Sequence, residues 1–187
     1  SREVGIETAI QDVLNVINYN DVHDFVLVGH SFAGKVAAAV ADRVPERVKT
    51  LLYVDAFRPD KVRTPQGSFD PASEYGAQPP GSWTLPLTEK IVDTIGKDVQ
   101  GSDRKWFLSK GTPWPLRLAS EPITLSEKFD RVKSAYIFCT MSGDPVDDIV
   151  AGKWGKLEGP HRIIECGHWP MVTRPEELVK DMVALTG

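Results

Sequence analysis

Residues 29 to 34 read GHSFAG and join two segments of different character. Before them, residues 25 to 28 form a short continuous apolar run, which is typical of a parallel strand buried on both faces. After them, the alanine-rich segment KVAAAVADRV favours a helix that ends before Pro45. A serine flanked by small residues at a strand-to-helix junction restricts the chain to folds that contain such junctions.

The rest of the chain alternates between helical and extended patterns. Apolar residues at helical spacing predict a helix over residues 5–19 and a second over 32–44, and a final helix follows Thr173 with Thr173 and Glu176 as a capping box. Apolar runs predict strands at 25–28, 51–57, 134–140 and 161–166. This order of elements predicts an open α/β sheet, in which ligands bind beyond the carboxyl ends of the strands.

Residues 58 to about 126 interrupt this alternation. The segment is rich in proline, glycine and tryptophan, and only residues 88–96 have a helical pattern. We interpret it as an insertion that covers a site. The whole chain of 187 residues is long enough for one domain with a substantial core, so we expect a single domain over residues 1–187.

The charge balance of 22 basic and 26 acidic residues, without a basic cluster, argues against nucleic acid or an anionic membrane as a partner. No apolar stretch approaches the roughly 20 residues that span a bilayer, and the first residues lack a signal pattern. We therefore expect a soluble, cytoplasmic protein. Its two cysteines, Cys139 and Cys166, are expected to be buried free thiols, because they form no metal-binding or disulfide pattern.

Ser31 is the candidate nucleophile. A nucleophile elbow places its serine on a sharp turn between a strand and a helix, and only small residues such as Gly29 and Ala33 fit beside that turn. Gly34 then allows the helix to pack closely on the strand. The alternative is an ordinary turn in which Ser31 only caps the helix.

A serine hydroxyl needs a base, and the chain has four histidines. His23 precedes a strand in a polar stretch and is expected at the surface. His30 is expected to point away from the nucleophile, and His161 opens a strand at the opposite end of the sheet. His168 follows the last predicted strand, so it is the histidine expected at the same sheet edge as Ser31.

A carboxylate should orient this base and stabilise its charged form. Asp144 is preferred because a long loop after the strand ending near Cys139 can bring it over His168. Asp55, at the end of the strand LLYVDAF, is the alternative acid. Asp147 and Asp148 rank third and are interpreted as solvated carboxylates or helix caps.

Three segments together resemble one protein family. GHSFAGKVAAAVADRVPERVKTLLYVDAF, CTMSGDP and ECGHWPMVTRPEELV are similar to the α/β-hydrolase superfamily, within it the small esterase and hydroxynitrile lyase-like group that includes plant methylesterases. The resemblance implies Ser31 as nucleophile, His168 as base, an acid at or near Asp144, and residues 58–128 as a cap. No metal or organic cofactor is implied.

The resemblance also implies features outside the matched segments. The family fold begins with strands that precede the first helix of this chain, and one of their loops supplies half of the oxyanion hole. The backbone N–H of Phe32 supplies the other half. We therefore expect a missing N-terminal segment of the same protein. Hydroxynitrile lyases of this group have a lysine directly after the histidine, and Trp169 at that position favours ester hydrolysis.

The expected activity is hydrolysis of a small-molecule carboxylic ester through an acyl-enzyme intermediate. The alternatives are lyase or lactonase chemistry on the same residues, and a non-catalytic ligand-binding protein. Large apolar side chains of the insertion and of the segment after His168 are candidates for the substrate pocket: Trp83, Trp106, Trp114, Trp169 and Met171.

Overall fold

The computed structural model describes residues 2–56, 58–59, 79–143, 146–151 and 157–187. The first described elements are α1 (Ile6–Tyr19), β1 (Phe25–His30), α2 (Ala33–Arg43) and β2 (Val48–Val54). Then follow β3 (Thr84–Leu85), α3 (Glu89–Ile95), α4 (Gly101–Lys110), β4 (Trp114–Pro115), α5 (Arg117–Ser120) and a 3-10 helix (Glu127–Arg131). The last elements are β5 (Ser134–Cys139), α6 (Val146–Val150), β6 (His161–Ile164), α7 (Pro170–Thr173) and α8 (Pro175–Thr186).

Within the described residues, four parallel strands form one sheet in the order β1-β2-β5-β6. Their register aligns the strand ends, since His30 pairs with Val54 and Val54 pairs with Ile137. The residues that follow β1, β2, β5 and β6 therefore meet at one edge. The predicted open α/β sheet is confirmed.

Alternate residues of the strands face two different helical layers. Leu51 and Tyr53 of β2 pack with the alanines of α2, and α1 in turn packs on α2. Leu52 and Val54 face the opposite layer, where Leu178 of α8 is buried. The small side chains of α2 permit this close approach, which explains the alanine-rich segment. The predicted burial of both cysteines as free thiols is also confirmed.

The predicted insertion contains more helix than its sequence pattern indicated. Helix α4 has no buried residue and no apolar stripe, so periodicity did not predict it. It is linked to α3 by Arg104, which bonds to Glu89 and Asp93. Residues 60–78 lie outside the described ranges, and the limits of the predicted cap, residues 58–128, stay a prediction.

The last helix differs from its prediction in its capping. Helix α8 begins at Pro175 with Arg174 as its N-cap and without a side-chain capping bond, so the predicted capping box is wrong. The hydroxyl of Thr173 donates instead to Asp98 in the insertion, with an oxygen–oxygen distance of 2.7 Å. None of the helices in the described ranges has the length and apolar character needed to cross a bilayer.

Candidate active site

Ser31 lies at a sharp turn directly after β1. Its φ of 52° is in the left-handed region, which costs a non-glycine residue roughly 1–2 kcal/mol. The turn is tight, because a Cβ on Gly29 would lie only 2.6 Å from the Cα of Gly34. A Cβ on Gly34 would lie 3.0 Å from the Cβ of Ala56. These close approaches explain why the motif needs small residues on either side of Ser31.

His168 contacts Ser31 directly. The Nε2 atom of its imidazole lies 2.7 Å from Ser31 Oγ, and its Nδ1 atom lies 2.5 Å from Oδ2 of Asp55. A carboxylate can only accept, so Nδ1 carries the proton and Nε2 is available to accept the Ser31 hydroxyl proton. The arrangement is a hydrogen-bonded chain from serine to imidazole to carboxylate.

Asp55 occupies the place for which the sequence favoured Asp144, so the order of these two candidates is corrected. Strand β2 lies beside β1, and Asp55 is therefore adjacent to the turn that carries Ser31. Asp144 itself lies outside the described residues. Asp147 and Asp148 belong to the first turn of α6.

The carboxylate of Asp55 is held by the end of β5. Its Oδ1 accepts the backbone N–H of Cys139 at 3.0 Å and the hydroxyl of Ser142 at 3.3 Å. Only 1% of the Asp55 side chain is exposed, and its φ of 43° is also positive. These hydrogen bonds oppose rotation of the carboxylate away from His168. Sequence reasoning did not identify Ser142.

His30 does not point away from the site as expected. Its ring lies 4.7 Å from the ring of His168, and its Nε2 donates to the backbone carbonyl of His168 at 2.6 Å. Burial, followed by the neighbouring His168, lowers the pKa of His30 to about 4. A neutral His30 therefore supports the loop of His168 from a second side.

A cavity of about 320 Å³ opens beside Ser31 and His168. Trp114 and Trp169 line it, as predicted from the sequence. Trp83, Trp106 and Met171 are not among its lining residues in the described part of the chain, and Trp106 is 56% exposed. The wall is completed mainly by apolar residues that the sequence reasoning missed: Phe32, Leu85, Leu87, Ile91, Ile95 and Phe107.

Two aromatic contacts shape the wall of this cavity. Phe32 stacks on Trp114 with ring centroids 5.8 Å apart, which joins the elbow to β4. Phe107 of α4 contacts Trp169 at 4.7 Å, and Trp169 in turn contacts the ring of His168 edge-on at 5.5 Å. The insertion and the residues around His168 thus form one apolar wall, which can exclude water from Ser31 and His168.

The backbone N–H of Phe32 lies where it can donate a hydrogen bond to an anion. Phe32 has helical backbone angles and is the N-cap of α2, where the helix dipole favours negative charge. The hydrogen bonds found within the described ranges leave this N–H without an acceptor. Its role as an oxyanion donor stays a prediction. Those ranges contain no cluster of three side chains that could hold a metal ion.

Comparison with known proteins identifies the family of this chain. The model of the alpha/beta hydrolase family matches residues 2–181. The chain belongs to this family. Its hydrolase fold agrees with a solved extracellular α/β-hydrolase from a Paenibacillus species, with a TM-score of 0.76 and 22% identity over 100% of this chain and 81% of that one. The predicted hydrolase fold is thereby confirmed.

The curated relatives of this hydrolase are esterases. It is 29% identical to a carbendazim hydrolyzing esterase from Nocardioides sp. (strain SG-4G), over 97% of this chain and 79% of that protein. It is 27% identical to Methylesterase 10 of Arabidopsis thaliana, over 82% of this chain. The chain spans 63% of the length of Methylesterase 10. The predicted resemblance to the methylesterase-like group is confirmed.

Proposed function

We propose that this α/β-hydrolase cleaves carboxylic esters with Ser31 as nucleophile, His168 as general base and Asp55 as the carboxylate that orients the base. The observation that carries the proposal is the hydrogen-bonded chain from Ser31 Oγ through His168 to Asp55, which ends at an apolar cavity. The esterase relatives support the same reaction class.

The reaction would proceed in two halves. Ser31 Oγ attacks the ester carbonyl carbon while its proton passes to Nε2 of His168, and Asp55 stabilises the resulting imidazolium. The tetrahedral oxyanion accepts a hydrogen bond from the Phe32 N–H. When it collapses, the C–O bond breaks and the alcohol leaves with the proton from His168. Water then attacks the acyl-enzyme, His168 takes its proton, and the acid departs as Ser31 regains a proton.

The cavity suggests the substrate class. Its wall is almost entirely apolar and aromatic, with Thr112 and His30 among the few polar side chains. A charged group in such a wall would lose its hydration without compensation. We therefore propose small uncharged esters with an apolar or aromatic group, and methyl esters are the first compounds to test in view of the methylesterase relatives.

Covalent labelling tests the nucleophile. A fluorophosphonate should modify the protein at Ser31, and mass spectrometry of peptides should locate the adduct there. The Ser31→Ala variant should not react. Labelling that persists in this variant would refute the assignment of Ser31.

Product analysis separates ester hydrolysis from the alternatives. Incubation with an aromatic methyl ester should release one acid and one methanol per ester cleaved, and a cyanohydrin should not be cleaved faster than in buffer. Release of an aldehyde and cyanide from the cyanohydrin would instead indicate lyase chemistry. Tight binding of the ester without turnover would indicate a binding protein.

A further inference from the structure

The loop that carries His168 is attached to the insertion by two consecutive backbone N–H groups. The N–H of Gly167 donates to Oδ2 of Asp98 at 2.9 Å, and the N–H of His168 donates to the carbonyl of Ile95 at 2.8 Å. Asp98 and Ile95 lie in or just after α3, far from His168 in sequence. The position of the base therefore depends on a segment outside the sheet.

Asp98 binds this loop at a second point. The hydroxyl of Thr173 donates to the same Oδ2 atom, and Asp98 thus bridges the residue before His168 and the end of α7. The other oxygen, Oδ1, is buried and has no donor among the described residues. A Cβ on Gly167 would lie 2.2 Å from Oδ1, so the carboxylate packs directly against the backbone of the loop.

The insertion and the His168 loop also pack against each other at a neighbouring position. A Cβ on Gly96 would lie 2.2 Å from Cζ3 of Trp169, which means that the ring of Trp169 rests on the backbone of the insertion. Residues 95–98 therefore contact residues 167–169 through hydrogen bonds on one side and through an aromatic ring on the other. This close fit leaves little freedom for the base.

We propose that Asp98 is a positioning residue of the catalytic centre, which holds the His168 loop through Gly167 and Thr173. The inference rests on the proposed function of His168 as the base. Asp98 is not among the residues that line the cavity, so it acts through His168 and not on the substrate.

The charged and titratable groups around His168 come from several elements. Asp55 follows β2, His30 ends β1, and Asp98 belongs to the insertion. The thiols of Cys139 and Cys166 lie nearby, where their mutual hydrogen bond, burial, and the charges of Asp55 and Asp98 raise the pKa of Cys139.

The Asp98→Asn variant keeps the geometry of these contacts. Its amide oxygen can still accept from Gly167 and Thr173, but the negative charge is lost. We expect its kcat to fall less than about threefold, because the acceptor that holds the His168 loop is kept.

The Asp98→Ala variant removes the acceptor as well. We expect kcat to fall about 10- to 100-fold with little change in KM, because a displaced base no longer meets Ser31 in the reactive geometry. Thr173→Val is the matched control: it removes one bond to the same carboxylate but leaves the bond to Gly167. It should keep most of the kcat of the parent enzyme.

The outcomes distinguish the two proposals. If fluorophosphonate labels Ser31 of the parent enzyme but Asp98→Ala keeps the parental kcat, Asp98 has no positioning role. If Ser31 is not labelled, the proposed function fails independently of Asp98. Circular dichroism should verify that each variant is folded, and if Asp98→Ala does not fold, the kcat of Asp98→Val, which fills the space without an acceptor, decides.

Discussion

Ser31 and Asp55 are the first residues beyond two neighbouring parallel strands, and both have positive φ values, 52° and 43°. The strand ends that precede them are paired, since His30 is opposite Val54. The backbone N–H of Ser31 donates to the carbonyl of Val54, which fixes the two turns relative to each other. His168 then bridges the side chains, so that two strained turns together determine the position of the imidazole.

Replacement of Asp55 by asparagine should nearly abolish turnover. The amide cannot stabilise the imidazolium and can favour the wrong imidazole tautomer, which typically costs about 10⁴-fold in kcat. Steady-state kinetics with an aromatic methyl ester measures this loss. Asp144→Asn is the matched control, because the sequence alone favoured Asp144, and it should retain kcat within about threefold. A larger loss for Asp144→Asn than for Asp55→Asn would reverse the assignment of the acid.

The two glycines of the elbow should differ in their tolerance of a methyl group. Gly34→Ala places a Cβ 3.0 Å from the Cβ of Ala56, and we expect it to lower the unfolding free energy by about 1–3 kcal/mol. Gly29→Ala should cost more, because its Cβ would meet backbone atoms at 2.6 Å. Urea unfolding measures both losses.

Gly81→Ala provides the comparison for these elbow variants. Gly81 also has a positive φ, 79°, but no atom lies within 4 Å of the position that a Cβ would take there. Its substitution should cost only the backbone strain, about 1–2 kcal/mol, and should not change kcat. Equal losses at Gly29 and Gly81 would mean that the close approach at the elbow is unimportant for stability.

Local patterns were sufficient to predict much of the candidate site. The strand, turn and helix around Ser31 are encoded within about 20 residues, and β1 differs from its predicted bounds only by extension to His30. His168 was identified because it directly follows a strand of the sheet. Both predictions depend on residues that are close in sequence, where hydrophobic periodicity and turn residues carry the information.

The features that sequence reasoning missed depend on contacts between distant segments. The choice of Asp55 over Asp144 requires the strand order, because β2 must lie between β1 and β5 for Asp55 to reach His168. Helix α4 has no apolar stripe and is held by the bonds of Arg104 to α3. Asp98 is separated from Gly167 by 69 residues, and no local pattern connects them.

Two neighbouring residues of α4 test the assignment of the cavity. Phe107 lines the cavity, whereas Trp106 is 56% exposed and does not. Phe107→Ala should lower kcat/KM for an aromatic ester about 10- to 100-fold, since an aromatic side chain that packs on a ligand contributes about 1.5–3 kcal/mol. Trp106→Ala should have little effect. A larger loss of kcat/KM for Trp106→Ala than for Phe107→Ala would mean that the aromatic group of the ester does not bind in this cavity.

The burial of His30 should make stability depend on pH. In the folded state the pKa of His30 is lowered from 6.5 to about 4, so the unfolded chain binds a proton at pH values where the folded protein does not. The stabilisation is complete above about pH 6.5 and is lost as the pH falls towards 4, by up to about 3 kcal/mol. Urea unfolding at pH 7.5, 5.5 and 4.5 measures this slope in the parent protein.

The His30→Gln variant should flatten that pH dependence. Its amide N–H can replace the Nε2–H donor to the carbonyl of His168, but it has no basic group to protonate in the unfolded chain. The difference in unfolding free energy between parent and variant should therefore change by about 2–3 kcal/mol between pH 7.5 and 4.5. His23→Gln is the control, because the side chain of His23 is 53% exposed and its replacement should leave the slope unchanged. Parallel plots of unfolding free energy against pH for the parent and His30→Gln would show that His30 has the same pKa in the folded and the unfolded chain. The interpretation of His30 as a neutral hydrogen-bond donor to His168 would then be refuted.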